Sequence, residues 1–190
     1  MLIDLIKNNR SYRRFYEDHK IEEGILKELL NLARLSASAA NLQPLRYILS
    51  FTQEKNNLIF PHLTWAAYLK DWPGPKKGER PSAYIILLLD KKLNKPFSAC
   101  DQGIAVQSIL LGATEKGLGG CIFGAVKRDE LRKTLNISED YEIPLVIAMG
   151  KPKEKVVIDI VGEDGDIKYW RDEKDIHHVP KRSLDEIIID

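Results

Sequence analysis

Apolar residues at Ile25, Leu26, Leu29, Leu30 and Ala33 recur at helical spacing in "EEGILKELLNLARLS", with Glu22, Lys27, Glu28 and Arg34 elsewhere on the wheel. This pattern predicts an amphipathic helix, and its acidic first turn suits the positive end of the helix dipole. "LIDLIKNN" predicts a shorter helix, with Leu2, Ile3, Leu5 and Ile6 on a broad apolar face. The following "RSYRRFYEDHK" lacks helical periodicity and reads as extended. "SASAANLQP" has no periodic apolar face and ends in proline, so it is a loop. "LRYILSF" predicts a strand. Residues 53–70 suggest two short helices broken at Pro61, and Pro73, Pro75 and Pro81 keep "DWPGPKKGERP" irregular.

"AYIILLLD" is a continuous apolar run of strand length, expected of a central strand buried on both faces. "DQGIAVQSILLGATEKG" is helical but apolar nearly all round, which predicts full burial. Gly103, Ala105, Ser108 and Gly112 would permit close helix contact there, and a subunit interface would cover a second face. "GLGGCIFGA" gives a glycine stop and a short strand, "KRDELRKTLNI" a charged surface helix, and "EIPLVIAMG" another buried strand. Residues 151–190 are polar and weakly patterned. Within them "SLDEII" resembles a capping box, with Ser183 three residues before Glu186. Ile187, Ile188 and Ile189 call for something to dock against. Helices interleaved with four or five strands make an α+β or α/β layered domain.

The 190 residues fit one domain, and 44% hydrophobic with 30% charged residues is ordinary for a globular protein. A net charge of +1 provides no global field for nucleic acid or an anionic membrane, so any anion site must be local. The two cysteines, Cys100 and Cys121, form no CxxC, which argues against a disulfide framework or a cysteine–zinc site. "MLIDLIKNNR" does not read as a signal peptide, and the longest apolar run is too short to span a bilayer. A cytoplasmic location is expected.

Three stretches invite chemistry. Arg10, Ser11 and Arg13 combine guanidinium groups with a hydroxyl, a set that binds phosphate; it could equally be a solvated charge run paired with Glu17 and Asp18. In "SASAANLQP", Asn41 and Gln43 each carry a donor and an acceptor, as a flat heterocycle requires, although such residues also satisfy their own loop. The glycines of "GLGGCIFG" could admit backbone N–H groups to a planar ligand or simply end a helix. His177 and His178 near Asp175 lack further ligands at metal spacing.

In order, "NRSYRRF", "SASAANLQPLRY", "DQGIAVQSILLGATEKGLGGCIFGAV" and "HHVPKRSLDEII" resemble the FMN-dependent nitroreductase family over nearly the whole chain. The resemblance implies a three-layer α/β/α fold of the α+β class. Its central sheet would be mainly antiparallel and its two subunits intertwined as a homodimer. It implies one FMN-binding domain over 1–190, with 151–190 packing as an extension on the partner subunit. Arg10, Ser11 and Arg13 would hold the phosphate and ribityl end of FMN, joined by Lys181 or Arg182. Ser38, Asn41 and Gln43 would line the flavin edge and ribityl chain, and Gly119 and Gly120 would face its reactive side. The implied activity is ping-pong electron transfer from NAD(P)H through FMN to a nitroaromatic, quinone or activated alkene.

This sequence departs from the family pattern at Asn9, Ala37, Leu45, Gly120 and Ile122, and is short between Phe51 and Tyr84. Two alternatives therefore stand beside the main reading. One is another reaction on the same scaffold, such as reductive dehalogenation or flavin-dependent oxidation. The other is a non-enzymatic flavin-binding dimer.

Overall fold

The structure is a computed structural model and describes residues 1–189. The apolar run becomes strand β3 (Ala83–Asp90), the centre of the sheet. It pairs antiparallel with β2 (Leu45–Ser50), from Leu45 opposite Leu89 to Ser50 opposite Tyr84. On its other edge lies β6 (Val146–Pro152), also antiparallel, and β4 (Gly119–Phe123) lies beyond that. Two-residue strands β1 (Phe15–Tyr16) and β5 (Tyr141–Glu142) pair with β6 and β3.

Side chains alternate across a strand, so β3 feeds two cores. Ala83, Ile85 and Leu87 face α2 (Glu23–Leu35) and α4 (Ser98–Glu115), packing with Leu26, Leu29 and Ile109. Tyr84, Ile86 and Leu88 face the other way, with Ile59, Trp65 and Leu131. That second layer contains α3 (Gln53–Ile59), α5 (Arg128–Leu135) and the irregular stretch around Trp65. The result is the expected three-layer α+β arrangement with an antiparallel central sheet. Where two short helices were expected over 53–70, α3 is followed by one 3-10 turn, Phe60–His62, with Pro61 in its first turn.

Within the protomer α4 leaves Ala99, Cys100, Gly103, Ile104 and Gln107 as an exposed stripe, with Ile104 39% exposed, the second face for which a subunit interface is the expected cover. Gly112 serves contact within the protomer, because a Cβ there would strike Leu32 and Leu29 of α2. The polar, weakly patterned tail forms a second sheet. Its strand β7 (Val156–Ile160) runs parallel to β9 (His177–Lys181), and β8 (Trp170–Arg171) pairs antiparallel with β9. The Ser183–Glu186 box forms its reciprocal bonds, Ser183 N to Glu186 Oε2 at 2.7 Å and Glu186 N to Ser183 Oγ at 3.3 Å, but closes a turn rather than starting a helix. Helix α1 (Leu2–Asn8) leaves Leu2, Ile3 and Ile6 exposed, and Ile187, Ile188 and Ile189 are exposed as well.

Candidate active site

The arginine cluster and the glycine strand meet. Ser11 and Gly120 form a parallel bridge, and Tyr12 N–H donates to the Gly120 carbonyl at 3.0 Å. Beside this bridge lies a cavity of about 280 Å³ whose wall includes Arg10, Ser11, Arg13, Gly120 and Lys181. Three cations share that wall, and no Asp or Glu among the described residues lines it. Arg10 Nη2 donates to the Ile6 carbonyl at 2.8 Å, while its Nε is buried without an acceptor. Arg13 is only 8% exposed, and its side chain makes no ion pair among the described residues. A buried cation left without a counter-charge is costly, and an anion in this cavity could supply one.

The alternative of a surface charge run paired with Glu17 and Asp18 does not describe these arginines. Glu17 accepts instead from the backbone of Gly78 and Arg80. Arg14 takes the local carboxylates: its Nε meets Glu79 at 2.9 Å and its Nη1 meets Asp175 at 2.6 Å.

Ser38 and Gln43 lie elsewhere, in a cavity of about 220 Å³ whose wall also includes Asp101 and Ala105 of α4. Asp101 is buried and shapes this loop. It accepts from Ser38 Oγ and from Ala39 N–H, each at 2.8 Å, and Ser38 Oγ accepts in turn from Gln43 N–H at 3.0 Å. Those bonds hold Ala40, Asn41 and Gln43 at positive φ (48°, 53° and 50°), a backbone that non-glycine residues adopt at a cost. The Asn41 side chain is exposed beside this cavity rather than in its wall. Ser38 spends its hydroxyl on the loop itself, the alternative that the sequence left open for this stretch.

Gly119 and Gly120 are small for reasons of packing. A Cβ on Gly120 would sit 2.8 Å from the Ala148 carbonyl oxygen and 2.8 Å from Leu110, and one on Gly119 would strike Tyr12. Gly120 lines the arginine cavity and Gly119 does not. Of the basic pair, Lys181 reaches the cavity, whereas Arg182 stands outside it with its guanidinium 3.7 Å from Glu186.

The sequence reading missed Gln107, Ile122, Tyr169 and His177 as cavity residues. His177 Nε2 lies 3.0 Å from Arg13 Nη1, and the Arg13 guanidinium lies 4.5 Å from the Tyr169 ring centre. Burial first, then the charges of Arg13 and Arg171, push the His177 imidazole down to about 4, so it is neutral near pH 7. In the sequence, His177 and His178 stand out as a metal candidate without further ligands. His178 Nδ1 is instead held by Asp159 at 2.8 Å, and its ring stacks on Trp170 at 4.1 Å.

The chain is similar to a protein from Archaeoglobus fulgidus named "Putative NADH dehydrogenase/NAD(P)H nitroreductase", with 29% identity over 80% of this chain and 86% of the relative. It is also similar to an iodotyrosine deiodinase from Thermotoga neapolitana, with 24% identity over 81% and 90% of the two chains. Among solved structures it resembles an FMN-dependent nitroreductase from Clostridium difficile R20291. The identity there is 25% and the TM-score 0.65, over 80% of this chain and 88% of that one. The family model described as "Nitroreductase family" matches residues 6–151, which hold the arginine cluster, the Asp101 loop and the glycine strand, and the chain therefore belongs to the nitroreductase family.

Proposed function

We propose that this chain is an FMN-dependent oxidoreductase that carries electrons from NADH or NADPH to a flat, electron-poor acceptor. A nitroaromatic, a quinone or an activated alkene has the required chemistry. One observation carries the reading. Arg10, Arg13 and Lys181 converge on a cavity without a carboxylate in its described wall, and the Arg10 Nε is buried and unpartnered. A phosphate dianion supplies the missing acceptors through charge-assisted hydrogen bonds. The residues present therefore fit the phosphate end of FMN. The name of the Clostridium difficile structure supports FMN, and that of the Archaeoglobus fulgidus relative supports a reduced nicotinamide as donor.

When bound, FMN would supply the two-electron chemistry that couples a reduced nicotinamide to the acceptor. Arg10, Arg13 and Lys181 hold the phosphate and ribityl end, with the Ser11 hydroxyl as a further donor. Gln43, on the loop shaped by Ser38 and Asp101, offers paired donor and acceptor atoms to the heterocycle, and Asn41 stands beside it.

Each cavity is smaller than the roughly 300–1,000 Å³ of an ordinary ligand site. Both take residues of α4 in their walls, Asp101 and Ala105 in one, Gln107 and Leu110 in the other. The exposed stripe of α4 includes Gln107 of the arginine cavity's wall. Pairing of two copies across that stripe would complete both sites, so the working form is a homodimer.

An absorbance spectrum of the purified protein, followed by FMN titration, tests this reading. Bound oxidised flavin, bleached by NADH or NADPH, is the expected result. Protein that takes up no FMN at micromolar concentrations overturns it. The deiodinase among the relatives favours one second reading, reductive dehalogenation on the same scaffold. Turnover against a panel of nitroaromatic, quinone and halophenol acceptors separates the two.

A further inference from the structure

We infer that Tyr169 and His177, which lie outside the family-matched residues 6–151, form a clamp that positions Arg13 for anion binding without cancelling its charge. This rests on the reading of the arginine cavity as the seat of the FMN phosphate end.

Arg13 is fixed on several sides by neutral groups. Its Nη1 donates to His177 Nε2 at 3.0 Å and to the Ser11 carbonyl at 3.3 Å, and the Tyr169 ring centre lies 4.5 Å from its Cζ. Its Nε and Nη2 find no acceptor among the described residues. The nearby carboxylates are engaged elsewhere. Glu154 accepts from the Arg13 and Arg14 backbone N–H groups and from the Arg171 guanidinium, the last at 2.9 Å. Glu79 accepts from Arg14 and Lys153, and Asp175 from Arg14.

An arginine cannot accept a hydrogen bond, so His177 Nε2 must be the acceptor and Nδ1 must carry the proton. That Nδ1 is buried without a partner, and His177 as a whole is 1% exposed. An aromatic residue placed there only for packing would avoid the desolvation cost of the orphaned N–H. A carboxylate in the same place would hold Arg13 equally well but would neutralise it. A neutral imidazole accepts the bond and leaves the positive charge available to a ligand. The groups facing His177 fit this role: Arg13 from the N-terminal segment, Arg171 from β8 and the adjacent His178 all disfavour its protonation. Tyr169 is backed in turn by the His177 ring at 5.2 Å and the Tyr68 ring at 4.9 Å.

The test is FMN titration by flavin fluorescence on the full chain, with a thermal melt of each variant. His177→Phe and Tyr169→Leu should each lower FMN affinity, His177→Phe by about tenfold or more. His177→Gln, whose side-chain oxygen can replace the Nε2 acceptor, should recover most of that loss. In an Arg13→Ala background neither His177→Phe nor Tyr169→Leu should weaken binding further, because the group they position is gone. Tyr169→Leu keeps the test valid should His177→Phe fail to melt cooperatively. Wild-type affinity in the folded clamp variants, or losses that add to that of Arg13→Ala, overturns the clamp and leaves the FMN reading standing. Wild-type protein that takes up no FMN overturns both.

Discussion

Ser11 and Gly120 lie side by side in a parallel bridge, sealed by the Tyr12 N–H to Gly120 carbonyl bond at 3.0 Å. This contact ties the arginine segment to the sheet and makes one cavity wall from two distant parts of the chain. It also dictates the residue at 120. Gly120→Ala would put its Cβ 2.8 Å from the Ala148 carbonyl oxygen, which cannot swing away as a side chain could. Overpacking of this kind costs about 1–3 kcal/mol, which lowers Tm by about 2–4 °C per kcal/mol for a chain of this size. Calorimetry on the variant checks the drop; an unchanged Tm would show that the sheet absorbs the methyl group.

The three cavity cations should matter to FMN more than to folding. Arg10→Ala, Arg13→Ala and Lys181→Ala are each expected to weaken FMN binding by about 1.5–3 kcal/mol, the worth of a hydrogen bond to a charged group. Arg182→Ala should leave affinity unchanged, since Arg182 stands by Glu186 outside the cavity. Titrations of the four variants beside their melting curves decide this. Equal affinity in all of them would refute the phosphate assignment.

Asp101 carries the shape of the loop opposite. Asp101→Ala removes the acceptor for Ser38 Oγ and Ala39 N–H, and with it the bonds that hold three residues at positive φ. A loss of about 1–3 kcal/mol in stability is expected, together with weaker FMN binding. Urea unfolding and FMN titration measure the two effects. Asp101→Asn, which can keep one of the acceptors, should fall between.

Acid should destabilise the fold in two separate windows. Burial and the charges of Arg13 and Arg171 push His177 down to about 4 from 6.5. Between those values the unfolded chain binds more protons, so this stability is complete above pH 6.5 and is lost as pH falls toward 4. The hydrogen bonds from Arg14, with Lys153 beside them, hold the Glu79 carboxyl at about 2 rather than 4.5. Its share is complete above pH 4.5 and is lost as pH falls toward 2. Urea midpoints measured against pH should lose the upper slope in His177→Gln and the lower one in Glu79→Gln.

A charge on the exposed stripe of α4 should separate the subunits. Ile104→Glu places a carboxylate beside Gly103 and Gln107 on that stripe. Light scattering should report a dimer for the wild type and a monomer for the variant, with FMN affinity falling as the dimer dissociates. A wild-type monomer that binds FMN tightly would contradict the proposed assembly.

Much of this molecule could be read from residue order. The apolar period of 23–35, the unbroken run at 83–90 and the prolines of 73–81 determine a helix, a doubly buried strand and an irregular segment. In each, the controlling forces are local geometry and burial. The arginine, serine and glycine positions stood out as candidates for the same reason, since their side chains and backbone freedom are intrinsic. Packing between distant segments decided the rest. Only the tertiary structure brought Ser38 to Asp101, placed Lys181 in the arginine cavity with Arg182 outside it, and exposed one stripe of an otherwise apolar helix. It also set His177 against Arg13 across a separation of 164 residues. A sequence specifies what each group can donate, accept or bury, but a hydrogen bond or an ion pair depends on distances of a few ångströms, and those exist only once the layers have closed.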